Sequence, residues 1–217
     1  MRHTTTLKLP FKGRWFTYCG GDTAKLNYHH IEPAQRYAFD FVGYGKDGES
    51  HKVRGLKNED YYVFGQDVIA PADGKVIEAV NGIRDNVPGQ TNRFAAGGNY
   101  ILIEHTKNEY SFIAHLRLGS TIVKAGDMVR SGQKLGECGN SGNSLQPHVH
   151  YHLQNTDVHS VLGKTKIKPL AKGIKVYFAD IDYERNGKKM TKKRYSPVKG
   201  DVAGTQLAEL ISSTYLD

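Results

Sequence analysis

The chain has 217 residues, with 30 Lys and Arg against 22 Asp and Glu for a formal net charge of +8, and a pI near 9.3. Hydrophobic residues at 38% suffice for a packed core and rule out wholesale disorder, and no run approaches the ~18 apolar residues of a membrane span. Cys19 and Cys138 are too few for a disulfide scaffold and form no Cys-x-x-Cys pair, while the positive charge favours polyanions (nucleic acid, an anionic membrane, a cell wall) without choosing among them.

The 24 glycines, 13 tyrosines and 8 phenylalanines favour short strands and tight turns over a helical bundle. Met1–Trp15 carries Arg2, Lys8, Lys12 and Arg14 with no apolar run after them, so it does not read as a secretory signal peptide. Glu32-Pro33 breaks any helix, and Gln35–Val42 reads as a strand with Tyr37, Phe39 and Phe41 on one face and Ala38, Asp40 and Val42 on the other. Gly43–Asn58 is a polar loop. Val68–Pro71 leads into Ala72-Asp73-Gly74, a hairpin signal, and then Lys75–Val80. Asn81–Gly97 is a long polar loop. Tyr100–His105 and Glu109–Leu116 are strands, Met128-Val129 and Gly132–Gly136 follow at short spacing, and His148–Leu153 is a further strand. Between Lys164 and Lys199 twelve Lys and Arg face three acids, with a hairpin marked at Asn186-Gly187 and a short helix expected over Gln206–Ile211. The organisation expected is one main β domain over residues 1–160 and a basic β extension over 161–217, packed on it or attached to it.

The ten histidines are the unusual feature. His148 and His150 are two apart on a strand, so both point to one face while Val149 and Tyr151 point to a core. Two imidazoles side by side suit a metal, or a neutral base beside a ligand; from spacing alone the pair reads equally as exposed strand histidines. Asp40 sits inside an aromatic strand, where a carboxylate is costly without a partner. It is either paired to an arginine such as Arg36 or a metal ligand. A histidine near residue 30, Asp40, His115 and the His148/His150 pair can converge. Two neutral imidazoles, a carboxylate and a water make a catalytic zinc site with an open position.

Gly139-Asn-Ser-Gly-Asn-Ser-Leu-Gln-Pro-His-Val-His resembles the closing motif of the lysostaphin/LytM-type zinc endopeptidases, peptidase family M23. Val68-Ile-Ala-Pro-Ala-Asp-Gly-Lys-Val, Gly98-Asn-Tyr-Ile-Leu-Ile-Glu-His, Ala114-His-Leu and the run from Ala125-Gly-Asp-Met-Val to Gly132-Gln-Lys-Leu-Gly are similar to the same domain in the same order. The resemblance covers roughly residues 27 to 155. It implies an antiparallel β-sandwich or folded sheet with a substrate groove and few short helices. It also implies Zn²⁺, with Asp40 and His150 as ligands and His115 and His148 as the non-ligand catalytic histidines. The family's first ligand belongs to a His-x-x-x-Asp motif, and here Arg36 stands in that place, which cannot ligate zinc. His29 is the expected replacement, with His30 the runner-up, because adjacent side chains of an extended segment point apart. His152 shares the face of His148 and His150 and is expected at the groove edge in preference to a place behind the ligands; His3, His51, His105 and His159 are expected to be structural or on the surface.

The function implied is hydrolysis of peptide amides in peptidoglycan cross-bridges or stem peptides, in the cell envelope or outside it. Loops 43–58 and 81–97 would wall the groove, and the basic extension would adhere to an anionic envelope polymer. A degenerate relative that binds wall peptide or a partner without cutting is the alternative. A lipoyl- or biotin-type carrier domain would leave His-x-His unexplained. A nucleic-acid binder is not expected, since no recognition helix or Arg-rich aromatic motif accompanies the charge.

Overall fold

The computed structural model describes residues 3–157 and 171–205. Among these residues the strands are β1 (Arg14–Cys19), β2 (Phe39–Val42), β3 (Asp67–Ile69), β4 (Gly74–Val80), β5 (Asn99–Thr106), β6 (Glu109–Leu116), β7 (Met128–Val129), β8 (Lys134–Glu137), β9 (Val149–Gln154), β10 (Gly173–Ile174), β11 (Phe178–Arg185), β12 (Lys188–Tyr195) and β13 (Val202–Thr205). Helical structure among them is confined to short 3₁₀ turns at Tyr28–Ile31, Asn58–Asp60 and Arg93–Ala95. None of these is long or apolar enough to cross a membrane. The helix expected over Gln206–Ile211 lies outside the described residues, as does His159.

Eleven strands form one sheet in the order β12-β11-β13-β1-β2-β9-β6-β5-β4-β7, with β10 paired to β9, and β3 and β8 form a second, two-stranded sheet. The strand pairs are antiparallel. Alternation explains the layering. Phe39 and Phe41 of β2 and Val149, Tyr151 and Leu153 of β9 enter the main core, which leaves Asp40, His150 and His152 on the other face. The β5–β6 pair is apolar on both faces. Ile101, Ile103 and Ile113 join the main core, while Tyr100, Leu102, Phe112 and Ala114 make a smaller cluster on the histidine side. Burying one such aliphatic or aromatic side chain stabilises by about 1.5–3 kcal/mol.

The segments before and after this central sheet share its core. Leu7, Leu9, Phe11 and Trp15 pack with Val176, Phe178, Ile181, Tyr183 and Ala203 and with the residues of β2 and β9. The outermost strand, β12, is Lys188-Lys-Met-Thr-Lys-Lys-Arg-Tyr and is mostly exposed, as suits a charged sheet edge. Its hairpin with β11 turns at Asn186 and Gly187, both at positive φ (51° and 75°), as their sequence indicated.

Two expectations need correction. Ala72-Asp73-Gly74 does not close a hairpin: β3 pairs with β8, whereas β4 pairs with β5 and β7. Pro71 has no N–H to give a ladder, and its carbonyl accepts from Lys8 N at 2.8 Å, so the turn carries the chain from one sheet to the other. The strand expected over Gln35–Val42 is shortened to Phe39–Val42, because Gln35 N and Ala38 N donate to Glu32 O and Gln35 O in consecutive turns after Pro33.

Candidate functional site

The site grows from one buried carboxylate. Asp40 is 1% exposed, and β2 aims it away from the aromatic core. His29 Nε2 lies 3.2 and 3.0 Å from its two oxygens, and His150 Nδ1 lies 3.0 Å from Oδ1. His148 Nε2 is 3.7 Å from Oδ1, and the Tyr28 hydroxyl donates to Oδ2. Arg36 is exposed and takes part through its backbone carbonyl, which accepts from Asn27. The partners of Asp40 are therefore imidazoles and a phenol, not a guanidinium. Burial by itself would oppose its ionisation, yet His29, His150 and His148 around it hold the carboxyl well below the usual carboxylate range.

Which of the adjacent histidines meets Asp40 is decided by the 3₁₀ turn at Tyr28–Ile31. Asn27, fully buried, caps it by accepting from His29 N at 3.0 Å. Its amide donates to the carbonyls of Gly21, Arg36 and Ala38, and its Oδ1 also accepts from the Cys19 thiol. So anchored, the turn directs His29 onto the carboxylate. His30 is not among the contacts of Asp40 given above, and its buried Nδ1 has no hydrogen-bond partner.

His150 sits opposite Asp40 on one side and Ala114 on the other. The neighbouring His115 should, by alternation with Ile113, point into the core. It does not, because β6 bulges there: Tyr100 pairs with Ala114 and Asn99 with Leu116, and His115 adopts φ of 65°. The bulge sends Leu116 to the core and turns His115 to the site. His115 Nδ1 donates to Ser141 O at 2.8 Å, which leaves Nε2 as the lone-pair atom of the neutral ring. His148 is fixed in the same way, with Nδ1 at 2.9 Å from Gln146 O and 3.0 Å from Ser144 Oγ. The two rings lie 4.7 Å apart. Burial above all, and then His148 and His150 nearby, keep the pKa of His115 well below the ordinary imidazole range, so the ring is neutral.

Ser141 is a participant that the sequence reading did not single out. Its Oγ donates to Leu116 O at 2.7 Å and accepts from Asn99 N at 2.9 Å, which docks the Gly139-Asn-Ser-Gly loop against the bulge. The loop can approach so closely because Gly98 and Gly142 meet there, with φ of 60° and 79°; a Cβ on Gly98 would lie 2.4 Å from Ser141 Oγ. A glycine paired with a small hydroxyl residue was the available signal.

Cys19 is a second residue the sequence left unassigned. It pairs with Asp40 across β1–β2, and its sulfur lies within 4.8 Å of ligand atoms of His29 and Asp40. Burial foremost, with the Asp40 charge, pushes the thiol up to about 12, and its hydrogen bonds to Asn27 Oδ1. A protonated, engaged thiol suits support of the capping asparagine better than metal ligation. His150, in contact with Asp40 and with its ring 4.7 Å from that of His29, completes a set of two imidazole nitrogens and a carboxylate. That donor set is the chemistry of a catalytic zinc site with an open position.

Two cavities flank the histidines. A cleft of about 830 Å³ is lined by Tyr18, Tyr28, Asp40, Arg93, Leu145 and His148 among others. A smaller cavity of about 120 Å³ lies towards Tyr100, Phe112, His115, His150 and His152. Residues of loop 81–97 wall both, but loop 43–58 lines neither; Val42 and Tyr61 stand on that side instead.

Residues 58–162 match the model of peptidase family M23, a span that holds His115, His148 and His150 but begins after His29 and Asp40. A Haemophilus influenzae protein described as an uncharacterized metalloprotease is 35% identical over 103 residues, 47% of this chain and 19% of that protein. The Vibrio cholerae peptidoglycan DD-endopeptidase ShyC is 33% identical over 95 residues, 44% of this chain and 21% of that protein. The chain thus spans about a fifth of the length of these curated relatives. The catalytic domain of the antimicrobial peptidase lysostaphin from Staphylococcus simulans aligns with a TM-score of 0.40 and 21% identity over 68% of this chain and 84% of that one. The likeness of this chain to peptidase family M23 thus rests on residues 58–162.

Proposed function

We propose that the chain is a zinc-dependent endopeptidase acting on peptide amide bonds of peptidoglycan cross-bridges or stem peptides. The observation that carries this reading is Asp40, a buried carboxylate on an open sheet face with His29, His150 and His148 gathered on it. In this reading His29, Asp40 and His150 hold the zinc. Bound there, zinc polarises the scissile carbonyl and brings the pKa of a water towards ~7.

His115 and His148 then supply the proton chemistry. Each donates Nδ1–H to a backbone carbonyl, so each offers Nε2 to the reacting centre. One takes the proton of the attacking water; the other stabilises the developing oxyanion or protonates the leaving amine. The larger cleft receives an extended peptide, with Tyr28 and Leu145 as exposed apolar walls. The name of ShyC supports a peptidoglycan substrate and action in the cell envelope. The exposed lysines of β12 would add adhesion to an anionic envelope polymer.

Metal analysis of the purified chain tests the reading. About one zinc per chain is expected. It should be lost in His29→Ala and His150→Ala and kept in His30→Ala. His115→Ala and His148→Ala should keep the zinc and lose about 10²- to 10⁴-fold in peptide hydrolysis. A wild-type chain that takes up no zinc from excess metal would leave a wall-binding or partner-binding module in its place.

A further inference from the structure

His150 is the first member of a series of side chains along one face of β9. His150 Nε2 lies 2.9 Å from His152 Nδ1, and His152 Nε2 lies 3.0 Å from Gln154 Oε1. Gln154 Nε2 in turn donates to the Thr156 carbonyl at 2.7 Å. The three side chains are buried, and His152 stacks on Phe112 with ring centroids 5.0 Å apart. His152 thus backs His150 as well as lining the smaller cavity.

The series has a direction set by its far end. A backbone carbonyl only accepts, so the Gln154 amide must turn its NH₂ to Thr156 and its oxygen to His152. An amide oxygen only accepts, so His152 Nε2 carries the proton. A neutral imidazole has one N–H, so His152 Nδ1 is a lone pair and must receive a proton from His150. The neutral form of His150 is thereby the Nε2–H tautomer, with the Nδ1 lone pair facing Asp40 Oδ1 at 3.0 Å. Two lone pairs at that distance repel unless a cation lies between them. The opposite tautomer would hydrogen-bond Nδ1–H to Asp40 and occupy both atoms.

We propose that His152 and Gln154 are positioning residues that hold His150 as the Nε2–H tautomer and so present Nδ1 as a metal ligand. This rests on the metal-centre reading above. It adds that the ligand's tautomer is dictated from Thr156 through Gln154 and His152, not by the metal alone.

The test is long-range ¹H–¹⁵N NMR of histidine-labelled full-length chain, with and without zinc, beside zinc affinity from chelator competition. The expected result is a proton on Nε2 of His150 in both states. His152→Phe, which keeps the stacking on Phe112 but removes the acceptor, should fold and bind zinc about 10- to 100-fold more weakly. His152→Gln, whose amide oxygen can accept from His150, should stay within a few-fold of wild type, as a merely space-filling role for His152 would not require. Gln154→Met, which removes the far acceptor, should weaken zinc binding in the same direction. A His150 whose Nε2 bears no proton overturns the proposal, and that wild-type measurement does not depend on any variant folding. A folded His152→Phe with wild-type zinc affinity overturns it too. A wild-type chain with Nε2–H on His150 but no zinc binding overturns the metal-centre reading, and with it the purpose assigned to the relay, while leaving the tautomer itself in place.

Discussion

His115 illustrates how a single backbone angle places an imidazole beside Asp40 and His148. Its φ of 65° lies in the left-handed region, which costs a non-glycine residue of order 1–3 kcal/mol and which asparagine tolerates better than most. His115→Asn should therefore keep the thermal stability of the chain while lowering the proposed peptide hydrolysis by about 10²- to 10⁴-fold. His115→Val should lower stability by about 1–3 kcal/mol, because β-branched residues resist this region. Thermal unfolding of the two variants separates backbone strain from chemistry; equal melting temperatures would mean that the bulge relaxes freely. Asn27 acts at the same scale. It serves Cys19, His29 N and three carbonyls, so Asn27→Ala strands several buried groups. The expected loss is about 1–3 kcal/mol for each group left unpaired, with weakened zinc uptake because the turn under His29 loosens.

At the scale of elements, one loop and the N-terminal segment brace the two ends of β6. The Gly139-Asn-Ser-Gly loop orients His115 through Ser141 and depends on the close approach of Gly98. Gly98→Ala should destabilise the chain and lower turnover together, since an added Cβ at positive φ would press on Ser141 from 2.4 Å. A Gly98→Ala chain with wild-type melting and turnover would remove this loop from the account. At the opposite end of β6, Glu109 ties down the N-terminal segment by accepting from the backbone and hydroxyl groups of Thr4 and Thr5. Burial alone would raise the Glu109 carboxyl, but these donors outweigh it and hold it below the usual range. A depressed folded-state pKa gives stability that is full above the unfolded value near 4.5 and is lost as pH falls through the folded value. Acid unfolding should accordingly shift in Glu109→Gln: less stable than wild type by about 1–3 kcal/mol at neutral pH, with the gap closing below the ordinary carboxylate range. A gap that stays constant down the pH scale would contradict the assignment.

At the scale of the whole molecule, charge and core are distributed differently along the C-terminal strands. Ile174, Val176, Phe178, Ile181 and Ala203 are buried in the main core, and β13 pairs with β1 next to the site-bearing strands. Removing residues 171–217 should therefore unfold the chain, so truncation is the wrong test of wall adhesion. Replacing Lys188, Lys189, Lys192 and Lys193 by Gln is the better one, because β12 is an exposed edge. Melting should shift little, within the ~0.5 kcal/mol usual for surface substitutions. Retention on an anionic polymer should fall and lose much of its dependence on salt. Unchanged retention would place the adhesion elsewhere or nowhere.

The local pattern of the chain was legible where period-2 alternation and turn chemistry act alone. It assigned Asp40 and His150 to one face and Phe39, Phe41, Val149 and Tyr151 to the other and placed β5, β6 and the Asn186-Gly187 hairpin; the antiparallel sheet with few helices followed from that strand pattern together with the family resemblance. Tertiary structure decided what depends on hydrogen-bond partners outside the strand or turn itself. Which of His29 and His30 meets Asp40 follows from Asn27 gripping the carbonyls of Gly21, Arg36 and Ala38 on either side of the turn, and Arg36 gives way to imidazoles because its side chain stays in solvent. His115 leaves the alternation of β6 through a bulge stabilised by Ser141, 26 residues away. The pairing of β3 with β8 and the relay behind His150 end likewise on backbone carbonyls. A residue's face is set by its own neighbours in sequence. Its hydrogen-bond partners, and so the direction in which a histidine presents its lone pair, are set by whichever buried carbonyls the fold leaves to be satisfied.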